Sequence, residues 1–227
     1  DKVVFFWNNR NARRKQPGTL IWWFKEFLDE VGHDKAALIM HTEPRDQNGP
    51  DLERNLQELG LIDEQVIISV NKMPPEGLAA LYNVADCTIN ISDAEGFGLS
   101  TLESLSCETP IIVSMTGGLQ EQVTNGESWF GIGIEPTSKS VIGSQEVPFI
   151  YEDRISKEDF LNSLRTFYKM TDEERASLGS AGRAHVEEEY SLEGYATNWD
   201  NTLKMVHTEL GSWENRKGYE SYTLESF

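Results

Sequence analysis

The sequence has few basic residues, only two cysteines and no long apolar run, and each shortage excludes a class of protein. It carries 20 Lys and Arg against 38 Asp and Glu, a formal net charge of −18. A general nucleic-acid binder needs a basic face, so this charge argues against one. No apolar run approaches the roughly 18 residues of a membrane span. Cys87 and Cys107 lie in apolar surroundings and are expected to be buried, reduced thiols, which predicts a cytoplasmic location.

Three further absences bear on cofactors and processing. No G-x-G-x-x-G follows the first predicted strand, which argues against a dinucleotide-dependent dehydrogenase. The histidines and cysteines form no metal-ligand spacing, so we predict no metal and no other cofactor. The chain starts at Asp1 without a charged-then-apolar leader, and we expect a piece of a longer protein rather than a secretory precursor.

Short apolar runs alternate with segments of helical periodicity over the first half of the chain. Strands are predicted at residues 3–7, 36–41, 66–70, 87–91 and 110–115. Helices are predicted between them, entered at Pro17-Gly18, Pro50-Asp51, Pro74-Pro75, Ser100-Thr101 and Gly117-Gly118. This alternation is typical of a parallel sheet with helices on both faces, so the predicted fold is a doubly wound α/β domain.

The alternation lapses in the second half of the chain. From Trp129 to Arg154, repeated Gly and Pro predict a long ordered loop with a strand piece at 149–151. Two helices follow, the second opened by a capping box of Thr171 and Glu174, and a last helix covers 192–210. We predict one domain over residues 1–210. Residues 211–227 are predicted to form a carboxy-terminal tail, either mobile or lying as a strap on the surface.

The stretch Asp93-Ala-Glu-Gly-Phe-Gly-Leu-Ser-Thr-Leu-Glu103 is the strongest functional signal in the sequence. A Gly-rich turn from a strand into a helix exposes backbone N–H groups that attract anions. Glu95 and Glu103 flank this turn. About eight residues of mostly helical chain would separate them by around 10–12 Å, which is too far for the carboxyl pair of a retaining glycosidase. The spacing favours two separate contacts with one ligand.

A basic island follows the first predicted strand, in a chain that is otherwise acidic. It consists of Arg10, Arg13, Arg14 and Lys15. In doubly wound sheets, ligands bind outside the carboxyl ends of the strands. We therefore expect the island and the Gly-rich turn to meet around a ligand that carries both phosphate and hydroxyl groups. An ordinary solvated face is the alternative for the charge cluster.

Four motifs occur in a characteristic order along the chain. They are Arg10 with Lys15 five residues later, Glu95-Gly-Phe-Gly-Leu-Ser-Thr-Leu-Glu103, Cys107-Glu-Thr-Pro-Ile-Ile-Val-Ser114 with Gly117-Gly118-Leu-Gln-Glu121, and Ala-Gly-Arg-Ala-His-Val-Glu-Glu-Glu-Tyr-Ser at 181–191. Together they resemble the donor-binding half of retaining GT-B glycosyltransferases of the group 1 type, from about Val3 to Leu210. The resemblance implies a Rossmann-like domain that forms one half of a GT-B architecture.

The resemblance also implies an activity, which is transfer of a sugar with retention from a nucleoside diphosphate sugar. The acceptor would be held by an amino-terminal domain of the same enzyme, and no such domain is present in this sequence. Catalytic roles are implied for Arg10 and Lys15, which would hold the diphosphate, and for Glu95, which would engage the sugar. Glu103 would bind the ribose hydroxyls. The implied donor-binding set is Gly96, Phe97, Gly98, Leu99, Ser100, Glu103, Asn71 and Met73, the last two near the base.

The chain departs from the family pattern at three places. Asn9 stands where the family usually has glycine, His41-Thr42 replaces glycines near the end of the second strand, and the segment 128–153 is longer than the usual connection.

Three alternatives stay open at this stage. Ser100-Thr-Leu-Glu103 also fits a capping box, in which Glu103 would bond to the N–H of Ser100 instead of a ribose. The chain could instead be a stand-alone nucleotide or nucleotide-sugar binding module without catalysis. It could also belong to a sugar-nucleotide epimerase of the same two-domain architecture.

Overall fold

A computed structural model describes residues 2–61, 64–212 and 214–218 of the chain. The chain divides into two compact units, residues 1–184 and residues 185–227, and each is described by itself. The predicted division into a domain of residues 1–210 and a tail of 211–227 stays a prediction. The prediction of a mobile or surface-bound tail falls mostly on residues outside the described ranges.

The first unit is built on six parallel strands. They are β1 (Val3–Asn8), β2 (Ala36–His41), β3 (Val66–Ser69), β4 (Cys87–Asn90), β5 (Ile111–Ser114) and β6 (Gly131–Ile134). Their order across the sheet is β3-β2-β1-β4-β5-β6, and every neighbouring pair is parallel. The sheet therefore extends in opposite directions from a switch point between β1 and β4, which confirms the predicted doubly wound fold.

Helices follow most of the strands. They are α1 (Pro17–Val31), α2 (Leu52–Leu59), α3 (Pro75–Val84), α4 (Leu99–Ser106), α5 (Leu119–Val123), α6 (Lys157–Lys169), α7 (Asp172–Glu189) and α8 (Leu192–Leu210). Local chemistry explains several of their starts, such as Asp51, whose side chain accepts a hydrogen bond from Arg54 N at the start of α2. The predicted capping box of Thr171 and Glu174 is confirmed by reciprocal hydrogen bonds of 2.8 and 3.2 Å.

Alternation along β1 divides the unit into two hydrophobic cores. Phe5 and Trp7 are fully buried in the larger core, which also contains the apolar faces of α1 and α6. Phe6 points to the opposite face and packs edge-on against Tyr82 of α3, with ring centroids 5.0 Å apart. Because side chains alternate along a strand, one short apolar run supplies both cores. Each fully buried aromatic side chain contributes about 1.5–3 kcal/mol to the hydrophobic stabilisation.

The segment predicted as a long loop, residues 129–154, proves to be largely strand. It contributes β6 to the edge of the main sheet and then forms an antiparallel hairpin of β7 (Ser138–Ile142) and β8 (Ile150–Arg154). The predicted strand piece at 149–151 overlaps β8, whereas β6 was missed because Gly131 was taken as a loop residue. A Cβ there would lie only 1.9 Å from Ile111 O, so the close approach of β5 and β6 requires glycine.

The second unit contains the end of α7 and the helix α8, whose bounds match the predicted helix 192–210. None of the α8 residues is buried. Its exposed apolar side chains recur every three or four residues, at Leu192, Tyr195, Trp199, Leu203, Val206 and Leu210. This spacing places them on one face of the helix.

The two cysteines are both located within the first unit. Both Cys87 and Cys107 are free thiols; Cys87 is buried in β4, whereas Cys107, expected to be buried, is only partly buried at the end of α4. Burial raises the pKa of the Cys87 thiol well above its usual value, which keeps it unreactive. No helix in the described part of the chain has the length and apolar character needed to cross a membrane.

Candidate functional site

A cleft of about 420 Å³ lies at the switch point of the sheet, beside the carboxyl ends of β1 and β4. Its walls come from the segment after β1, from α3, and from the turn that joins β4 to α4. The lining residues are Asn8, Asn9, Arg10, Lys15, Leu78, Glu95, Phe97, Gly98, Leu99, Ser100 and Glu103. The cleft therefore brings together two segments that are about 80 residues apart in the sequence.

Most of the sequence-predicted site residues line this cleft. These are Arg10, Lys15, Glu95, Phe97, Gly98, Leu99, Ser100 and Glu103. Gly96 is exposed beside the cleft, and Asn71 and Met73 belong to the loop between β3 and α3; these three are not lining residues. Asn8, Asn9 and Leu78 also line the cleft, although none of them was among the predicted site residues.

A buried ion pair connects the two walls. Lys15 closes a short 3-10 turn, Arg13–Lys15, and its ammonium contacts Glu95 Oε2; the side chains of Lys15 and Glu95 are only 9% and 11% exposed. Burial, with a smaller effect of the Arg14 charge, lowers the pKa of Lys15 to about 8. The Glu95 carboxylate favours the charged ammonium and opposes this shift. Lys15 is thus a buried cation whose pKa lies below that of a free lysine.

Arg10, the second cation of the cleft, is held by Asp46 instead of Glu95. Its guanidinium donates two hydrogen bonds to Asp46, 2.7 and 3.2 Å long, and its side chain is 63% exposed. The bonds from Arg10, and then those from Asn48, hold the pKa of Asp46 well below its usual range. The predicted phosphate pair, Arg10 and Lys15, therefore shares one cleft, but each cation has its own carboxylate. The contact of Asp46 with Arg10 was not predicted, because the two residues are 36 positions apart and no local sequence pattern links them.

The β7–β8 hairpin contacts the basic island through hydrogen bonds to Arg13. Glu152 of β8 is 5% exposed and accepts two hydrogen bonds from Arg13, 3.0 and 2.7 Å long, which lower the pKa of this carboxyl group. The contacts continue through the backbone, where Asp153 N donates to Asp93 O and Asp93 N donates to Arg14 O, each at 2.8 Å. The hairpin is thus attached directly to both walls of the cleft.

Glu103 does not form the capping box that was its alternative interpretation. The N-cap of α4 is Gly98, which has no side chain, and no side chain caps this helix. Glu103 Oε2 instead accepts a hydrogen bond of 2.8 Å from the hydroxyl of Tyr82. Glu103 lies one helical turn inside α4 and points its carboxylate into the space between α3 and α4, next to the cleft.

The Gly117-Gly118 motif supports the turn that carries Glu95. Gly117 has φ +51, and a Cβ on it would lie 1.7 Å from Glu95 O. A Cβ on Gly118 would lie 2.8 Å from Phe97 O. The two turns are therefore packed backbone against backbone, which only glycine allows.

The described residues contain no group of three or more His, Cys, Asp or Glu side chains that could hold a metal ion. The predicted absence of a metal and of any other cofactor stays a prediction.

Comparison with known proteins now decides the family. The model of the family described as glycosyl transferases group 1 matches residues 1–185. The chain belongs to this family.

A curated relative shows how much of a longer glycosyltransferase the chain matches. A D-inositol 3-phosphate glycosyltransferase from Corynebacterium jeikeium is 34% identical over 132 residues, which are 56% of this chain and 30% of that protein. The chain therefore spans under a third of this relative.

Two solved structures share the fold. A sucrose-phosphate synthase from Thermosynechococcus elongatus superposes with a TM-score of 0.69 at 24% identity, over 92% of this chain and 46% of that one. The carboxy-terminal domain of a glycosyl transferase group 1 family protein from Francisella tularensis gives 0.62 at 19% identity, over 84% and 87% of the two chains. The chain thus corresponds to about half of one protein and to nearly the whole of an isolated carboxy-terminal domain.

Replacing Gly117 by alanine tests the backbone contact under the Glu95 turn. We expect Gly117→Ala to lower the free energy of unfolding by about 2 kcal/mol or more, because the new Cβ overlaps Glu95 O and φ is positive. Gly96→Ala is the control, since nothing lies within 4 Å of a Cβ there. Its expected change is within about 0.5 kcal/mol. Urea unfolding of both variants measures the difference, and equal losses would contradict the close packing.

Proposed function

We propose that the chain is the donor-binding domain of a retaining glycosyltransferase, which takes a sugar from a nucleoside diphosphate sugar. The observation that carries the proposal is the composition of one cleft. Two cations, the amide-rich start of α4 and two carboxylates converge there from separate segments of the chain. A ligand that carries negative charge and several hydroxyl groups satisfies all of these groups together.

The diphosphate is assigned to the basic side of the cleft. Arg10 offers a planar donor pair and Lys15 a point charge, and both forms of contact suit phosphate oxygens. The first helical hydrogen bond of α4 runs from Leu102 N to Gly98 O. The amides of Leu99 and Ser100 precede it and have no backbone acceptor among the described residues, so they are available to an anion.

The hydroxyl groups are assigned to the two glutamates. Glu95 sits beside Lys15 and would bind the transferred sugar, and Glu103 would accept hydrogen bonds from the ribose. The base would lie toward the loop that contains Asn71 and Met73, outside the cleft itself. This arrangement extends the ligand from the sugar, past the diphosphate, to the nucleoside.

The chemistry asks the protein to stabilise a departing diphosphate, which gains negative charge in the transition state. Preorganised cations and helix-start amides perform this role without reorganisation. Arg10 and Lys15 would do so here, with Glu95 orienting the sugar, so the proposal assigns no metal ion to the reaction. The acceptor would attack on the face from which the diphosphate leaves, and no side chain of the cleft is assigned as a covalent nucleophile.

The acceptor is assigned to an amino-terminal domain of the same enzyme. The chain covers only 30% of the C. jeikeium relative, which leaves ample room for such a domain in that protein. The apolar stripe of α8, from Leu192 to Leu210, is exposed along its full length. A stripe of this kind is a suitable surface for a second domain to cover.

A panel of UDP, GDP, ADP and their sugar conjugates tests the proposed ligand class. At a concentration of 100 times its Kd, a bound nucleotide stabilises the folded chain by about 2.7 kcal/mol, which is visible as a rise in melting temperature. Calorimetry then gives the Kd of any nucleotide that raises it. We expect at least one diphosphate to bind and Lys15→Met to abolish the response. If no diphosphate shifts the melting temperature, the proposal is wrong.

The titration of Lys15 gives the site a defined pH dependence. Its pKa is lowered to about 8, so the side chain carries its positive charge below pH 8 and loses that charge as the pH rises through this value. Nucleoside diphosphate affinity is therefore expected to be about tenfold weaker at pH 9 than at pH 7. Lys15→Arg keeps its charge and should move the decline to higher pH. Calorimetric titrations across this range make the comparison, and an unchanged affinity in the wild-type chain would refute the assignment.

A further inference from the structure

Tyr82 is buried directly behind the cleft. It lies near the end of α3, is 1% exposed, and is not one of the lining residues. Its ring packs edge-on against Phe6 of β1, and its backbone carbonyl accepts a hydrogen bond of 2.9 Å from Thr109 Oγ1. The position of its hydroxyl group is therefore determined by the core.

The hydroxyl of Tyr82 connects two residues of the cleft wall. It accepts a hydrogen bond of 2.9 Å from Asn8 Nδ2 and donates one of 2.8 Å to Glu103 Oε2. Asn8 donates through its amide N–H and a carboxylate can only accept. The hydrogen bonds therefore run in one direction, from Asn8 through Tyr82 to Glu103. Burial raises the pKa of Tyr82 well above its usual value, so the phenol keeps its proton at any working pH.

We propose that Tyr82 is a positioning residue that holds the Glu103 carboxylate for the ribose hydroxyls of the nucleotide. The bond to Tyr82 fixes Oε2, whereas Glu103 Oε1 has no hydrogen-bond partner within the described parts of the chain. A carboxylate on a helix can otherwise adopt several rotamers, and fixing one oxygen selects the rotamer that offers the other to a ligand. This inference rests on the proposed function, in which Glu103 binds the ribose.

The arrangement also couples the two walls of the cleft. Asn8 ends β1, Tyr82 belongs to α3 and Glu103 belongs to α4, so one chain of hydrogen bonds crosses three elements. A buried tyrosine that served only the core would need a partner for its hydroxyl, but that partner need not face a cleft. Here both partners line the cleft, so the hydroxyl is placed to act on the ligand site.

Tyr82→Phe tests the proposal with the loss of one oxygen atom, and it keeps the ring that packs on Phe6. We expect the Kd of the nucleoside diphosphate that binds best to rise about fivefold to tenfold, as for loss of one ordinary intramolecular hydrogen bond. The Kd of its 2′,3′-dideoxy analogue and of inorganic pyrophosphate should change less than about twofold. A purely structural role would instead weaken all three ligands equally, and that result would overturn the proposal.

Tyr168→Phe is the matched control. Tyr168 packs edge-on against Phe27, with ring centroids 5.8 Å apart, on the opposite face of the sheet. The same loss of a hydroxyl group there should leave the Kd of the ribonucleotide and that of its dideoxy analogue unchanged. If Tyr168→Phe raised the ribonucleotide Kd as much as Tyr82→Phe, the effect would be general and the proposal would be wrong.

A double-mutant cycle with Glu103→Gln shows whether Tyr82 acts through the glutamate. Residues that work as one unit have non-additive effects, so Tyr82→Phe should add less than about twofold to the ribonucleotide Kd in the Glu103→Gln background. Fully additive losses would overturn the inference. Failure of the two proposals can be distinguished. If the wild-type chain binds no diphosphate, the proposed function fails; if it binds and Tyr82→Phe is unchanged, only this inference fails.

Discussion

The buried contact between Lys15 and Glu95 is the interaction on which the cleft depends. One partner follows β1 and the other follows β4, so the pair bridges the crevice beyond the carboxyl ends of these two neighbouring strands. Removing two charges from water costs several kcal/mol per ion, and a buried pair is therefore weak evidence for stability. The pair lies at the carboxyl ends of parallel strands, which is where ligands bind in doubly wound sheets. This location, and not the stability of the pair, suggests a role in ligand binding.

The surrounding polar groups keep these charges in place. Arg13 and Asp93 are linked by side-chain and backbone hydrogen bonds to the hairpin that ends at Arg154, and Arg14 is linked to it through Asp93. On the other side, Gly117 packs under the Glu95 turn with no room for a side chain. The catalytic role proposed for these residues needs such support, because an error of about 1 Å in position is costly for catalysis. The β7–β8 hairpin therefore supports the cleft as well as the fold.

Local sequence patterns were sufficient for most of the fold and for the two walls of the cleft. The strand Ala36–His41 and the helix Leu192–Leu210 were predicted to the residue, because apolar periodicity and turn residues are local signals. The strand Gly131–Ile134 was missed, since glycine there serves the approach of two strands and not a turn. Contacts between residues far apart in the sequence, such as the one between Arg10 and Asp46, could not be predicted because they produce no periodic pattern in the sequence. The same holds for Tyr82, whose hydroxyl partners come from two other elements.

The exposed pair of Arg10 and Asp46 has a consequence for how salt would act on the proposed complex. If Arg10 binds a diphosphate, it exchanges one anionic partner for another, and the chain exposes Asp46 in return. The number of ion pairs is then conserved at this position, and the carboxylate that is released recruits counterions of its own. In a chain of net charge −18, screening of the surrounding acidic surface favours an approaching anion. The affinity should consequently respond less steeply to ionic strength than two cations in one cleft would suggest.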